Sequence, residues 1–256
     1  MDYKTIKFIT DSHIAQIVLN RPASLNALNR DMWHDMLDAV KRTAADDSVR
    51  AVVISGADGN FAAGGDIADM VDLTPLEAAR FVFHPVFNAI EDLPVPVIAA
   101  VSGYALGGGM ELALACDFRI FSETASAGFP EINLGIFPGA GGTQRLPLLI
   151  GLSRAKELIF TGQRIDARKA LEWGLCDRLV AGDPLPAALE MAANFAKKSP
   201  VALKAAKRVM NFGAIRGMRA SIPFEEEAWA GIFSSEDQKE GMRAFLEKRK
   251  PAFKGK

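Results

Sequence analysis

Apolar and polar positions change their period several times along the chain, and each change marks an element. Ile6 and Phe8 alternate with polar neighbours, residues 14–19 are almost all apolar, and Asp11-Ser12-His13 lies between them. This predicts a hairpin ending at Asn20-Arg21-Pro22. From Asn29, a residue suited to cap a helix, Met32, Trp33, Met36, Leu37 and Val40 recur at helical spacing up to the polar Asp46-Asp47-Ser48 break. A β-branched run over 49–55 stops at Gly56, Asp58 and Gly59. A helix is then expected over 75–91, a strand over 95–101, a helix over about 108–115 and a strand over 117–122. Strands alternating with helices predict an α/β core with parallel pairing. Beyond Gly135 the pattern is mainly helical, with Asp166 placed to cap 167–173, Gly174 placed to stop it, and a last strand over 176–180. After Pro184, helices are expected over 185–198, 201–212, 223–233 and 238–248. Ser199-Pro200 divides a larger α/β part, 1–199, from a smaller helical part, 200–256.

Composition narrows the class without choosing a function. A chain of 256 residues with 49% apolar and 24% charged residues can bury a large core. Its net charge of -1 offers no global attraction for nucleic acid or an anionic membrane, so neither is expected as a partner. Residues 1–10 lack the apolar core of a signal peptide, and the most apolar stretch, 93–106, is interrupted by prolines and glycines and is too short to span a bilayer. Cys116 and Cys176 form no disulfide framework or CxxC pattern, which fits a reducing compartment, and the cytoplasm is expected.

Three features carry candidate chemistry. Phe61-Ala62-Ala63-Gly64-Gly65-Asp66 is a run of small residues between a strand and a helix, where backbone can approach a ligand closely. Gly107-Gly108-Gly109-Met110-Glu111 opens a helix with N–H groups that have no intrahelical acceptor, at the end favoured by negative charge. Each alone also reads as a tight turn. Glu111 in a first helical turn ordinarily compensates the helix dipole, but the apolar Leu112-Ala113-Leu114-Ala115 that follows implies burial. Glu131 is likewise an acid among apolar residues, or a loop salt bridge. Gly139-Ala140-Gly141-Gly142-Thr143-Gln144 lacks the last glycine of a dinucleotide loop, and neither GxxxxGK[ST] nor GxSxG occurs. His13, His34 and His84 lack metal-ligand spacing, so no metal is expected.

In their order these segments resemble the crotonase superfamily, and most closely its enoyl-CoA hydratases. The resemblance runs from Asn20-Arg21-Pro22 and Leu25-Asn26-Ala27-Leu28 through Phe61–Ile67, Pro96-Val97-Ile98-Ala99-Ala100, Gly103–Ala113 and Cys116-Asp117. It continues through Pro130-Glu131, Leu134-Gly135, Pro138-Gly139-Ala140-Gly141-Gly142-Thr143-Gln144-Arg145-Leu146 and the tail around Phe245 and Lys248.

The resemblance implies a crotonase-like α/β spiral of ββα turns, with a C-terminal helical region that assembles trimers, often paired into hexamers. It implies reversible hydration of a trans-2-enoyl-CoA to 3-hydroxyacyl-CoA, with no cofactor beyond the coenzyme A carried by the substrate. The oxyanion-hole N–H groups are expected at Ala63 and Gly108, and the catalytic acids at Glu111 and Glu131. Ala23, Ser24, Leu25 and Ala27 are expected along the CoA path, Gly64, Gly65, Asp66 and Ile67 along the pantetheine and thioester, and Phe245 and Lys248 of a neighbouring subunit at the nucleotide. Ala23 stands where many hydratases have a basic residue. Ala127-Gly128-Phe129-Pro130 replaces the common Phe-Gly-Gln-Pro, which sets a bulky Phe129 beside Glu131. An isomerase needs only one of the two acids, so the presence of both favours hydration. Other crotonase-type lyases and hydrolases, and a noncatalytic RNA- or CoA-binding role, are the alternatives.

Overall fold

A computed structural model describes residues 3–81 and 83–256; the start of the leader reading, Met1 and Asp2, lies outside them. Strands β1 (Ile6–Asp11) and β2 (Ile14–Leu19) form an antiparallel hairpin in which Ile6 faces Leu19. Its two-residue loop, Ser12-His13, has positive φ at both positions, the twist that a short hairpin loop requires. β2 then pairs in parallel with β3 (Ala51–Gly56), β3 with β4 (Val97–Val101), β4 with β6 (Phe118–Ser122), and β6 with β9 (Arg178–Val180). Because helices cover both faces of this sheet, β3 and β4 are buried along nearly their whole length rather than in alternation. On one face pack Met32, Met36 and Val40 of α1 (Arg30–Ala45) and Val86, Phe87 and Ile90 of α3 (His84–Glu91). Ala188 and Ala192 of α8 (Leu185–Ala196) pack on the other. Asn29 caps α1 by accepting from the Met32 N–H at 3.0 Å.

A second, three-stranded sheet joins β5 (Tyr104–Leu106), β7 (Ser126–Gly128) and β8 (Arg164–Asp166). The unit β4–β5–α4 (Gly108–Leu114) shows the repeating geometry: its first strand joins the large sheet and its second joins the small one. Two single bridges extend the small sheet into earlier turns, Ala62 with Ala105 and Leu28 with Gly65. Stacked turns thereby bring residues 28, 62–65, 104–106 and 126–128 side by side, although they are far apart in sequence. Strands of three residues are too short to show a period, so the sequence pattern did not reveal this layer.

Two helical expectations differ from the structure. The helix expected over 75–91 is broken into α2 (Pro75–Arg80) and α3. Pro85 has no N–H to give a helix running through from Phe81, and it sits instead in the first turn of α3, where none is required. The helices expected over 201–212 and 223–233 are longer, α9 (Pro200–Arg216) and α10 (Met218–Ile232), and Pro223 lies inside the second. Their break falls at Gly217, φ 82°, a conformation that glycine adopts without strain. α5 (Gly142–Ile150), α6 (Leu152–Thr161) and α7 (Ala167–Trp173) precede β9, with Asp166 capping α7 through the Lys169 N–H and Gly174 ending it.

Ser199 caps α9, and α11 (Glu236–Leu246) follows α10. Lys207 of α9 ties this region to the sheet, donating to the Val95 carbonyl at 3.0 Å and to Asp117 at 2.7 Å.

Candidate active site

The loop after β2 and the loop after β3 are locked together by an internal polar scaffold. Asn26, fully buried, accepts from the Arg21 N–H and donates to the Ala57 and Asn60 carbonyls. Arg21 donates to the Ala27 carbonyl and pairs with Asp66 at 3.0 Å. Between them, the Leu28 N–H donates to Gly64 O and the Asp66 N–H to Leu28 O. In such a parallel bridge the partner strand bonds the residues on either side of the bridged one, so the N–H of Gly65 itself points away. Among the described residues it has no acceptor.

Gly107, with φ 49° and ψ −124°, turns the chain into α4, and Gly108 is the first helical residue. The Gly108 N–H has no intrahelical acceptor by position. A Cβ built on Gly108 would stand 3.4 Å from Gly65 N, so the two glycine backbones adjoin. This corrects the placement of the first donor. The Ala63 N–H donates to the Leu25 carbonyl at 3.1 Å and is not free, whereas Gly65 and Gly108 both line the cavity described below. The sequence marked Gly65 only as a contact residue, because which alternate N–H of a short strand points outward depends on its pairing partner.

Glu111 follows one turn along α4 and is 3% exposed. Its Oε1 accepts from the Ala140 N–H at 2.8 Å and the Gly142 N–H at 2.7 Å. Burial raises its carboxyl above the usual range, while these two donors and Arg145 act in the opposite direction. Glu131 lies in the 3-10 turn Pro130–Leu134 and is 9% exposed. Its Oε2 is buried without a hydrogen-bond partner among the described residues, and burial, together with the charge of Glu111, pushes the group up to about 7. Glycines make room for both acids: a Cβ at Gly107 would stand 2.8 Å from Glu131 Oε1, and one at Gly142 2.9 Å from Glu111 Oε1.

These groups share one cavity of about 550 Å³, walled by Leu28, Gly65, Gly108, Glu111, Glu131 and Ala140, and by Met70, Leu73, Phe81, Phe83, Ile136 and Phe137. Its far wall is apolar and comes from the segments around α2 and after Glu131. Phe129 is fully buried behind this site and is not part of the cavity wall, so the departure from the common pattern does not put an aromatic ring in the cavity. Ala23, Ser24, Leu25 and Ile67 are exposed, Ala27, Gly64 and Asp66 are more covered, and all lie on the two interlocked loops beside the cavity. Phe245, 81% exposed, and Lys248 are not brought to the cavity by this chain.

Residues 10–256 match the enoyl-CoA hydratase/isomerase family. The chain is 42% identical over 254 residues to the short-chain-enoyl-CoA hydratase of Clostridium acetobutylicum, covering 98% of this chain and 97% of that one. It is 42% identical over 257 residues to the crotonyl-CoA hydratase of Syntrophomonas wolfei, covering 99% of each. The crystal structure of enoyl-CoA hydratase from Bacillus anthracis superposes with a TM-score of 0.93 at 37% identity, covering 99% of this chain and 100% of that one.

Proposed function

The chain belongs to the enoyl-CoA hydratase/isomerase family, and from that premise we propose how its cavity divides the work of catalysis. It is an enoyl-CoA hydratase, a hydro-lyase that adds water reversibly to a trans-2-enoyl-CoA to give 3-hydroxyacyl-CoA. Attack on the β-carbon moves electrons onto the thioester oxygen. The Gly65 and Gly108 N–H groups receive that oxygen and stabilise the enolate as charge develops. Glu111, held as an acceptor by two backbone donors, takes the proton of the attacking water. Glu131, whose ionisation is opposed by burial and by the charge of Glu111, gives its proton to the α-carbon. The acids titrate as one coupled pair.

The observation that carries this reading is the meeting, at one cavity, of two backbone N–H groups free of acceptors among the described residues and two buried carboxyls in different environments. Isomerisation would employ one acid and leave Glu111, with its dedicated donors, without a task. The test is turnover of short-, medium- and long-chain trans-2-enoyl-CoA thioesters followed by mass. Gain of one water is expected, and a product of unchanged mass with a shifted double bond would replace hydration by isomerisation.

The CoA moiety is placed along Ala23, Ser24, Leu25 and Ala27 and past Gly64, Asp66 and Ile67, and the reaction needs no separate cofactor. Phe245 and Lys248 serve the nucleotide of a neighbouring subunit's substrate, in a homotrimer or hexamer built on the 200–256 region. Among the described residues no helix is long and apolar enough to cross a membrane. Both cysteines are free and buried, which supports the cytoplasm as the compartment.

A further inference from the structure

The segment Pro138-Gly139-Ala140-Gly141-Gly142 carries the two N–H groups that grip Glu111, yet its own position has to be maintained. Gly141 is the N-cap of α5 with φ 106°, so the loop folds in a conformation that ordinary side chains resist. On the side away from Glu111 lies the guanidinium of Arg145. Its Nη1 donates to the Ala140 carbonyl at 3.2 Å, and a Cβ at Gly141 would collide with the same nitrogen. The other arm is anchored on α3: Nη2 donates to Glu91 Oε2 at 2.6 Å and to Asn88 Oδ1 at 2.7 Å, and Nε to Glu91 Oε2 at 3.1 Å. Arg145 is largely buried and is not part of the cavity wall. The Ala140 peptides thus face two ways, N–H toward the acid and carbonyl toward the cation.

We propose that Arg145 is a positioning residue for Glu111, fixing the loop that holds its carboxylate and supplying positive charge behind that loop. The proposal rests on Glu111 being the base. The charged groups that face Glu111 are Glu131, across the cavity, and Arg145, on the far side of the loop, itself paired with Glu91. Arg145 and the N-terminus of α5 both favour the carboxylate form, against burial. Removing the cation therefore moves ionisation of the acid pair to higher pH, whereas removing its counterion Glu91 moves it to lower pH. A role confined to holding the fold together gives no such opposition of sign.

The experiment measures kcat, KM and the pH dependence of hydration of a short-chain trans-2-enoyl-CoA, with melting curves alongside. Arg145→Met is expected to lower kcat by about 10-fold to 10²-fold, the scale of a misplaced catalytic group, with little change in KM and with the acidic limb at higher pH. Arg145→Lys restores the limb but not kcat, because an ammonium cannot hold Glu91, Asn88 and Ala140 together. Glu91→Gln shifts the limb to lower pH, and this arm decides the matter if Arg145→Met fails to fold. An unmoved limb in folded Arg145→Met, or Glu91→Gln shifting it upward, overturns the proposal. Glu111→Gln is measured in parallel: activity retained there would remove the base assignment itself, whereas activity lost there beside an unmoved Arg145→Met profile overturns the positioning role alone.

Discussion

Two glutamates of the same chemistry acquire different properties from their surroundings. Glu111 accepts from two backbone N–H groups, and Glu131 has a buried oxygen with no partner among the described residues. Glu111→Gln and Glu131→Gln preserve size but cannot exchange protons, so each should lose hydration by about 10² to 10⁴-fold. If the two acids act as one unit, as proposed, the double variant should lose much less than the product. Undiminished turnover in either single variant would end the two-acid mechanism. The same replacement has a stability consequence. The folded Glu131 carboxyl, at about 7, lies above its ordinary 4.5, so its protonated form contributes stability that is complete below 4.5 and lost as pH rises through about 7. Glu131→Gln should therefore melt higher than the parent at pH 8, by up to about 3 kcal/mol of stability, with the gain vanishing in acid. Equal melting temperatures at pH 8 would contradict a buried acid whose ionisation is disfavoured.

The elements matter through their ends. α4 begins at Gly108, which lines the cavity, and α5 begins at Gly142 with its N–H on Glu111. On the proposed mechanism each helix start brings positive dipole and a donor to the place where negative charge forms or rests. Proline is tolerated at a first helical position and has no N–H. Gly108→Pro should accordingly keep the fold while removing one oxyanion donor, at a cost of about 10² to 10³ in kcat. A loss below 10-fold in a folded variant would mean that the Gly108 N–H does not touch the developing charge. Gly109 is constrained for another reason: a Cβ there would overlap the Ala62 backbone, so α4 packs against the 61–65 segment too closely for any side chain.

At the scale of the whole molecule, the last helices leave large apolar side chains in solvent. Met210, Ile215, Met218 and Trp229 on α9 and α10, and Phe245 and Leu246 at the end of α11, are all more than half exposed. Apolar area of this extent is normally covered by a partner. A homotrimer or hexamer is expected by light scattering, and a monomer at micromolar concentration would refute it. In the assembly, Lys248→Ala should raise KM for the CoA thioester at low salt without changing oligomeric state, and unchanged KM would detach the tail from the nucleotide.

The sequence alone determined the elements long enough to express a period: the hairpin, α1, the buried parallel strands, and the caps at Asn29, Asp166 and Gly174. It also singled out both acids, since a charged residue set into an apolar run has few other uses. What it left to the tertiary structure was everything that depends on non-local pairing. The three-residue strands of the small sheet have no period of their own, and the break in the helix expected over 75–91 follows from how Pro85 is accommodated. Whether Ala63 or Gly65 presents a free N–H is decided by Leu28, which bonds to Gly64 and Asp66 and so turns Gly65 outward, while Leu25 occupies the N–H of Ala63. Backbone donors have no residue-type signature, and only the strand laid beside them settles which ones remain open to a substrate.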